Sequence, residues 1–525
     1  MFRPRLMYYN DAHHFHAKRI EPPATIHKLQ QPVDELLGTG VDLLVLGLGY
    51  GDVYFHQSKV GRVVGQEKQV WENFIDWRIM RMVEEAHRLG TDQVKVVRDR
   101  AREKKIGMLP SLKMQDTAKP PGERCGWLKW KHGLDVCLGG PEENRERWAL
   151  DYTNPIVRAE KMALVREMLE DYRTDGIELD FMFYPVYFRP CEVEKGTAIM
   201  TYYVASIRRA ADEIGKAQGR RIPVTARVFH RRDDNLRLGL DVESWLKNKS
   251  IDAAVGQVSY FLMDTDLTEG RWLADAANAA GAASYIRPPR YVYDDRTLAP
   301  SIEMYRALNQ TLNWHGFTGM YLGYLPWPLG DSEYELLREM AFLETTVRRN
   351  KRYLLQPGET AEQNAAPPKR QVPAPLKEGQ TTSVKVLVSD DLGAAMAYGE
   401  LRPAILTVRF SDFCIEDDIE MRLNGQVLKR GDAEITDERA LHMPALPGWY
   451  RGKLNAPAGM AAHWFRYKVP VDLLKRGENL LEIECKKFSP RAAFTRSLNG
   501  VEIQTRYKEF ERPVGLNVER ITPRG

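Results

Sequence analysis

Up to about residue 345, short apolar runs alternate with longer stretches whose apolar residues return at spacings of three and four. The first pattern belongs to strands and the second to helices that bury one face. The strand candidates are RLMYY (5–9), VDLLVLGLG (41–49), IGMLPSL (106–112), GIELDFMF (176–183), IPVTARVF (222–229), AAVGQVSY (253–260), ASYIRPP (283–289) and GMYLGYLP (319–326). Between them, 155–172 places Met162, Val165, Leu169 and Tyr172 on one helical face, and 196–217 does the same with Ile199, Tyr203, Ile207, Ala210 and Ile214. Pro155 stands near the start of the first helix, where its missing N–H costs nothing. Eight β/α units predict an α/β fold, a (β/α)8 TIM barrel with long loops. The competing arrangement is a doubly wound open sheet. GLGYGD at 47–52 superficially matches the dinucleotide loop of such sheets, but it lacks the third glycine and ends the second strand, as a tight βα loop does.

The pattern then changes. Residues 356–382 are rich in Pro, Gln, Ala and charge and have no apolar period, which reads as a linker. Beyond it come short alternating runs without helical spacers, among them SVKVLV, AILTVRF, IEMRLNG and NLLEIEC, the pattern of an antiparallel β-sandwich. The expected organisation is a catalytic barrel over 1–355, the linker 356–382, an all-β sandwich domain over 383–510 and a tail over 511–525.

One strand carries an anomaly. In TDGIELDFMFYP (174–185), Ile177, Leu179 and Phe181 alternate as a buried strand face, while Glu178 and Asp180 occupy the interleaved one. Carboxylates aimed at a core are costly without partners. In a TIM barrel the carboxyl ends of the strands open on the active-site mouth. Asp180 would then face that mouth, with Glu178 one layer deeper.

DGIELDFMFYP resembles the DGIxLDxxxYP segment of bacterial glycosyl-hydrolase-like barrels, the family-10-like glycosidases, and IDAAVGQVSYF (251–261) is similar to that group's sixth strand with its Gln-x-x-Tyr. SLKMQD, closing the third strand, also matches in order, and the resemblance covers roughly residues 1–345. Chitinases share a DGxDxDxE version, but Met182 stands at the place of their terminal Glu, which disfavours their mechanism. The resemblance implies that Asp180 is the leading catalytic carboxylate, acting as nucleophile or stabiliser; Asp180→Asn, which removes the charge with almost no change in volume, is expected to abolish hydrolysis and leave folding intact. Glycoside hydrolysis needs a second carboxyl group. Asp264, in YFLMDTD after the sixth strand, is the candidate acid/base, with Asp116 and Asp11 in reserve. Glu178 orients a neighbour or pairs with a base such as Arg227. In the C-terminal part, IEMRLNGQVL and VPVDLLKRGENLLEIE resemble galactose-binding-like accessory modules, which bind glycan or only pack on the barrel.

Other polar groups gather at strand ends. His13, His14 and His16 follow the first strand; a solvated loop, sugar hydrogen bonding and a metal site are all open there, although no carboxylate or Cys spacing supports a metal. Lys113, Arg227, His230, Gln257, Tyr260, Arg287 and Arg290 would also reach the mouth. Four cations there either pair with rim carboxylates or bind an anionic glycan, uronic or sulfated. Trp327, ending the eighth strand, is either a sugar platform or core. With 43% hydrophobic and 28% charged residues and a net charge of only +4, the chain belongs to a globular class without the signature of a nucleic-acid or membrane-surface binder. Five scattered Cys argue against a zinc site or a disulfide framework, and no cofactor is called for. The chain begins without an apolar signal region, so a cytoplasmic location is expected, or a periplasmic or secreted one if a leader was removed. The expected function is a two-carboxylate glycoside hydrolase. Its rivals are a barrel that binds carbohydrate without cleaving it, and a lyase using His230 or Tyr260 as base.

Overall fold

The computed structural model describes residues 2–68, 70–258, 263–289, 291–292, 299–357, 364–367, 369–438 and 462–508. The barrel strands are β1 (Leu6–Asn10), β2 (Leu43–Gly47), β3 (Gly107–Lys113), β4 (Ile177–Asp180), β5 (Val224–Phe229), β6 (Ala253–Gln257), β7 (Ala283–Arg287) and β8 (Gly319–Gly323). They pair in parallel and close in the order β1-β8-β7-β6-β5-β4-β3-β2. All eight fall on the apolar runs read from the sequence. β4 stops at Asp180 rather than at residue 183, because the Asp180 side chain accepts the Met182 N–H at 2.8 Å and takes that donor from the ladder.

Period two decides what each strand shows to each side. Ile177, Leu179 and Phe181 pack outward with Leu44, Leu46, Val224 and Ala226 under the helices. Each such side chain contributes about 1.5–3 kcal/mol on full burial. The other parity fills the barrel with Met7, Tyr9, Val45, Leu109, Val255, Tyr285 and Tyr321, and Glu178 and Asp180 belong to this interior face. The helices form where their periodicity places them. Pro155–Arg166 is capped by the Asn154 side chain on the Ile156 N–H at 2.9 Å, and Val193–Gln218 ends at Gly219 with φ +68°.

The sandwich has two antiparallel sheets. One runs Lys351–Leu355, Ser497–Tyr507, Leu401–Ser411, Ala462–Val469, Glu434–Glu438; the other runs Gln380–Val388, Gly477–Lys487, Asp418–Leu423, Gln426–Leu428. Two boundaries differ from the sequence reading. Lys351–Leu355, assigned to the barrel, is a strand of the sandwich paired with Ser497–Tyr507. The supposed linker is partly structural: Val372 and Leu376 are buried in the sandwich core, Ala374–Pro375 pairs with that same strand, and Gln380 already begins a strand. Its composition hid this, because two isolated apolar residues amid Pro and Gln show no period.

The two domains share their packing. Leu354 joins the barrel's core while Ala307, from the barrel helix Ile302–Trp314, joins the sandwich's. The Leu354 N–H bonds Thr265 Oγ1 at 2.8 Å, and Thr311 Oγ1 lies 2.9 Å from Ser389 Oγ. Ending the chain at residue 350 should therefore yield an aggregating barrel rather than a soluble one, readable by gel filtration. A monodisperse, folded truncation would show that the shared core is dispensable. No helix among the described residues is long and apolar enough to cross a membrane.

Candidate functional site

The registers of β3, β4 and β5 stack two polar layers inside the barrel. Ser111, Glu178 and Thr225 lie side by side, with Lys113, Asp180 and Arg227 one layer nearer the carboxyl end. Arg227 closes on Asp180 in a two-pronged pair, Nε to Oδ1 at 3.1 Å and Nη2 to Oδ2, and its guanidinium sits 4.7 Å from the Tyr9 ring. Glu178 accepts from Ser111 Oγ at 2.7 Å and Tyr321 Oη at 3.0 Å, with Arg227 Nε at 4.0 Å. Burial holds the Glu178 carboxyl above the usual range and neighbouring Asp180 adds to this, against the pull of Arg227. Both carboxyl-bearing residues are wholly buried, at 0% exposure. The two carboxylates of the anomalous strand thus form a compensated floor beneath the mouth.

The rim above is built from loops after β1, β2, β3 and β8. Asp11 follows β1 and caps the helical turn Ala12–His14 through the His13 N–H at 3.1 Å; its other oxygen accepts from Tyr324 Oη at 2.8 Å. Burial pushes the Asp11 carboxyl up, but the charges of Lys113, His14 and His13 outweigh it and bring it below the usual range. His13 stacks on Tyr50 at 4.2 Å and 6°, and Arg124 lies over the same ring at 3.8 Å. His14 meets Tyr324 edge-on at 5.2 Å, and Arg287, bonded to Gln257 Oε1, lies 5.2 Å from that ring. Trp327, at 41% exposure, presents an open aromatic face beside Arg19. Of the expected site residues, Asp11, His13, His14, Lys113, Gln257, Arg287 and Trp327 belong to this rim, and Asp180, Glu178 and Arg227 to the floor. Tyr260 and Arg290 lie outside the described residues.

Three expectations are corrected. Asp264 is bound by Arg370 of the connecting segment at 2.5 Å and accepts the Asp266 N–H at 2.8 Å; with Met263 and Thr265 bonded to Gln356 and Leu354, this stretch fastens the sandwich to the barrel. Asp116 has no exposed surface and is held by Lys129 at 3.1 Å. His230 is sealed against Gly256 and Gly270, and burial, with Arg231 adding, drives it down to about 3, which removes it as a mouth base. His16 is equally buried and driven down to about 4. Among the described residues no group of three or more His, Cys, Asp or Glu is placed to hold a metal. Sequence reasoning missed Tyr9, Tyr50, Ser111, Arg124, Tyr321 and Tyr324. The parity of β1, β3 and β8 carries a signal for Tyr9, Ser111 and Tyr321, whereas Tyr50 sits in a two-residue strand too short to show a period and Arg124 in a loop.

Behind the rim, Lys161 binds Asp52 at 2.6 Å and the Lys113 carbonyl at 3.1 Å. Beside this pair, burial pushes the Glu160 carboxyl up to about 7, Lys161 opposing and Asp52 adding. A raised carboxyl favours the folded state while protonated, so this contribution is complete below about pH 4.5 and lost as pH rises through about 7. Glu160→Gln should flatten that part of the stability profile and unfold at a higher temperature than wild type above pH 7. Parallel pH profiles for the two proteins would refute the assignment.

No family model matches the chain, and no curated protein matches it. Among solved structures, α-L-fucosidase isoenzyme 2 from Paenibacillus thiaminolyticus is similar at 13% identity with a TM-score of 0.42, over 66% of this chain and 50% of that one. A cycloisomaltooligosaccharide glucanotransferase from Paenibacillus sp. is similar at 10% identity, TM-score 0.35, over 95% and 57%. A maltogenic α-amylase, AmyB, from Thermotoga neapolitana follows at 12% identity, TM-score 0.36, over 91% and 98%. The chain thus spans only about half the length of the first two. At such identities and TM-scores these likenesses carry no argument, and function has to be argued from the site.

Proposed function

We propose that the protein is a glycoside hydrolase that works on a poly- or oligosaccharide at the carboxyl mouth of the barrel. The observation that carries this reading is the rim: a part-exposed Asp11 whose carboxyl is held below the usual range and bonded to Tyr324 Oη, with Trp327 exposed in the loop after β8. Aromatic faces suit the apolar faces of sugars, and a carboxylate kept ionised suits the nucleophile or base of a glycosidase. In this reading Asp11 takes the role first expected of Asp180, and the Asp180–Arg227 pair fixes the field beneath it. A second reading is a barrel that holds carbohydrate without cleaving it. The clamp on Asp180 favours that reading, because it leaves this carboxylate closed to a sugar. A polysaccharide library assayed for new reducing ends separates the two. Reducing ends that disappear in Asp11→Asn support hydrolysis; retention without products supports binding alone; an unsaturated chromophore would show a lyase and overturn both.

A further inference from the structure

Three lysines are buried in this half of the barrel, and two of them are closed by carboxylates. Lys129 binds Asp116 at 3.1 Å and Lys161 binds Asp52 at 2.6 Å. Lys113 differs. It is 7% exposed, its ammonium makes one long hydrogen bond, 3.3 Å to the Gly49 carbonyl, and its remaining neighbour is the Phe183 ring at 4.3 Å. Among the described residues no carboxylate is within ion-pairing distance of it. An ammonium carries three donors, and a buried cation without an acceptor is costly. Arg124 is half-buried: its guanidinium rests on Tyr50, and among the described residues it has no ion pair.

The two cations flank one short stretch of chain: Lys113 bonds the Gly49 carbonyl, and Arg124 lies on the ring of the next residue, Tyr50. His13, stacked on the far partner of Arg124, feels both of them: burial drives it down to about 3 against Asp11, with His14, Lys113 and Arg124 adding to the fall. The carboxylates close by each have a partner, although Asp116 Oδ2 accepts no hydrogen bond among the described residues. Asp11 serves the helical cap and Tyr324, Asp52 serves Lys161, Asp116 serves Lys129, and Glu123 serves Lys68. Two cations therefore stand on this side of the mouth, neither in an ion pair among the described residues, and the one carboxylate that Lys113 acts on, Asp11, is engaged by its cap and by Tyr324.

We infer that Lys113 and Arg124 hold an anionic group of the substrate, the carboxylate of a uronic acid or a sulfate ester on the sugar. The inference rests on the carbohydrate reading above and names its substrate class. A charge-assisted, two-pronged contact from Arg124 and a desolvated ammonium from Lys113 suit either oxyanion. Calorimetric titration of the full chain with methyl glucuronide, glucose 6-sulfate, methyl glucoside and inorganic sulfate tests it. At least one anionic sugar should bind tenfold or more tightly than the neutral glycoside, salt should weaken only the anionic complex, and Lys113→Met and Arg124→Met should each erase the difference. Lys113→Met should also melt no lower than wild type, because it removes a buried cation that makes no ion pair among the described residues.

Equal affinity for charged and neutral sugars would overturn the inference and leave the carbohydrate reading standing. A Lys113→Met protein that keeps the preference, or that melts well below wild type, would overturn it too and make Lys113 a structural cation. Binding of inorganic sulfate without any sugar would support the anion site and remove the carbohydrate reading. Binding of none of the four would remove both.

Discussion

Asp180→Asn should destabilise the protein by about 3–5 kcal/mol, the usual consequence of stripping one partner from a buried ion pair. The substitution keeps the volume but leaves Arg227, only 4% exposed, without its two-pronged partner. Glu178, 4.0 Å from Arg227 Nε, is the substitute counterion at hand. Burial and Asp180 both raise its affinity for a proton, so losing Asp180 lowers that affinity. The variant should then lose stability more steeply than wild type as pH falls and Glu178 protonates. Denaturant midpoints of Asp180→Asn, Arg227→Met and the double variant measure the effect. The double variant, with no buried charge left over, should be more stable than either single one. If Asp180→Asn unfolds at the wild-type midpoint, the pair is not what holds the floor together, and the expectation drawn from the sequence, an intact fold with lost activity, is the correct one.

Asp11→Asn should have the opposite signature. Asn is as good a cap as Asp for the turn that begins at Ala12, and the NH2 that replaces the second oxygen can donate to Tyr324 Oη in place of accepting from it, so the stability change should stay below about 1 kcal/mol. Turnover should fall by about 10²–10⁴, the range for removal of a general base or its equivalent. The acid limb of the wild-type rate profile should lie below the usual carboxylate range, since Lys113, His14 and His13 hold Asp11 ionised there. A variant that keeps near-normal turnover would place the chemistry elsewhere in the mouth. A variant that loses both turnover and fold would make the Asp11–Tyr324 contact structural.

Much of the fold is legible in the chain itself. The alternation in β1 to β8 and the three-and-four spacing at 155–172 and 196–217 are local properties, set by how a strand and a helix turn successive side chains. They predict eight strands within a few residues, and they place Glu178 and Asp180 on the face opposite Ile177 and Leu179, which is where the barrel's interior lies. The change of pattern after residue 356 likewise marks the all-β sandwich.

What each charge does was decided only in three dimensions. Asp180 meets Arg227 because β4 and β5 pair in one register; a shift of one residue would turn Arg227 to the helices. Asp264 looked like a rim acid until the packing of the sandwich brought Arg370 to it across 106 residues of sequence. Asp116 found Lys129 on a helix beyond its own loop, while Asp11, a reserve by sequence, kept an open edge among Lys113, His13, His14 and Tyr324. A local pattern records which way a side chain points. Whether its charge is met by a partner or left for a ligand depends on contacts between residues far apart in the chain, and those exist only once the register and the docking of the two domains are set.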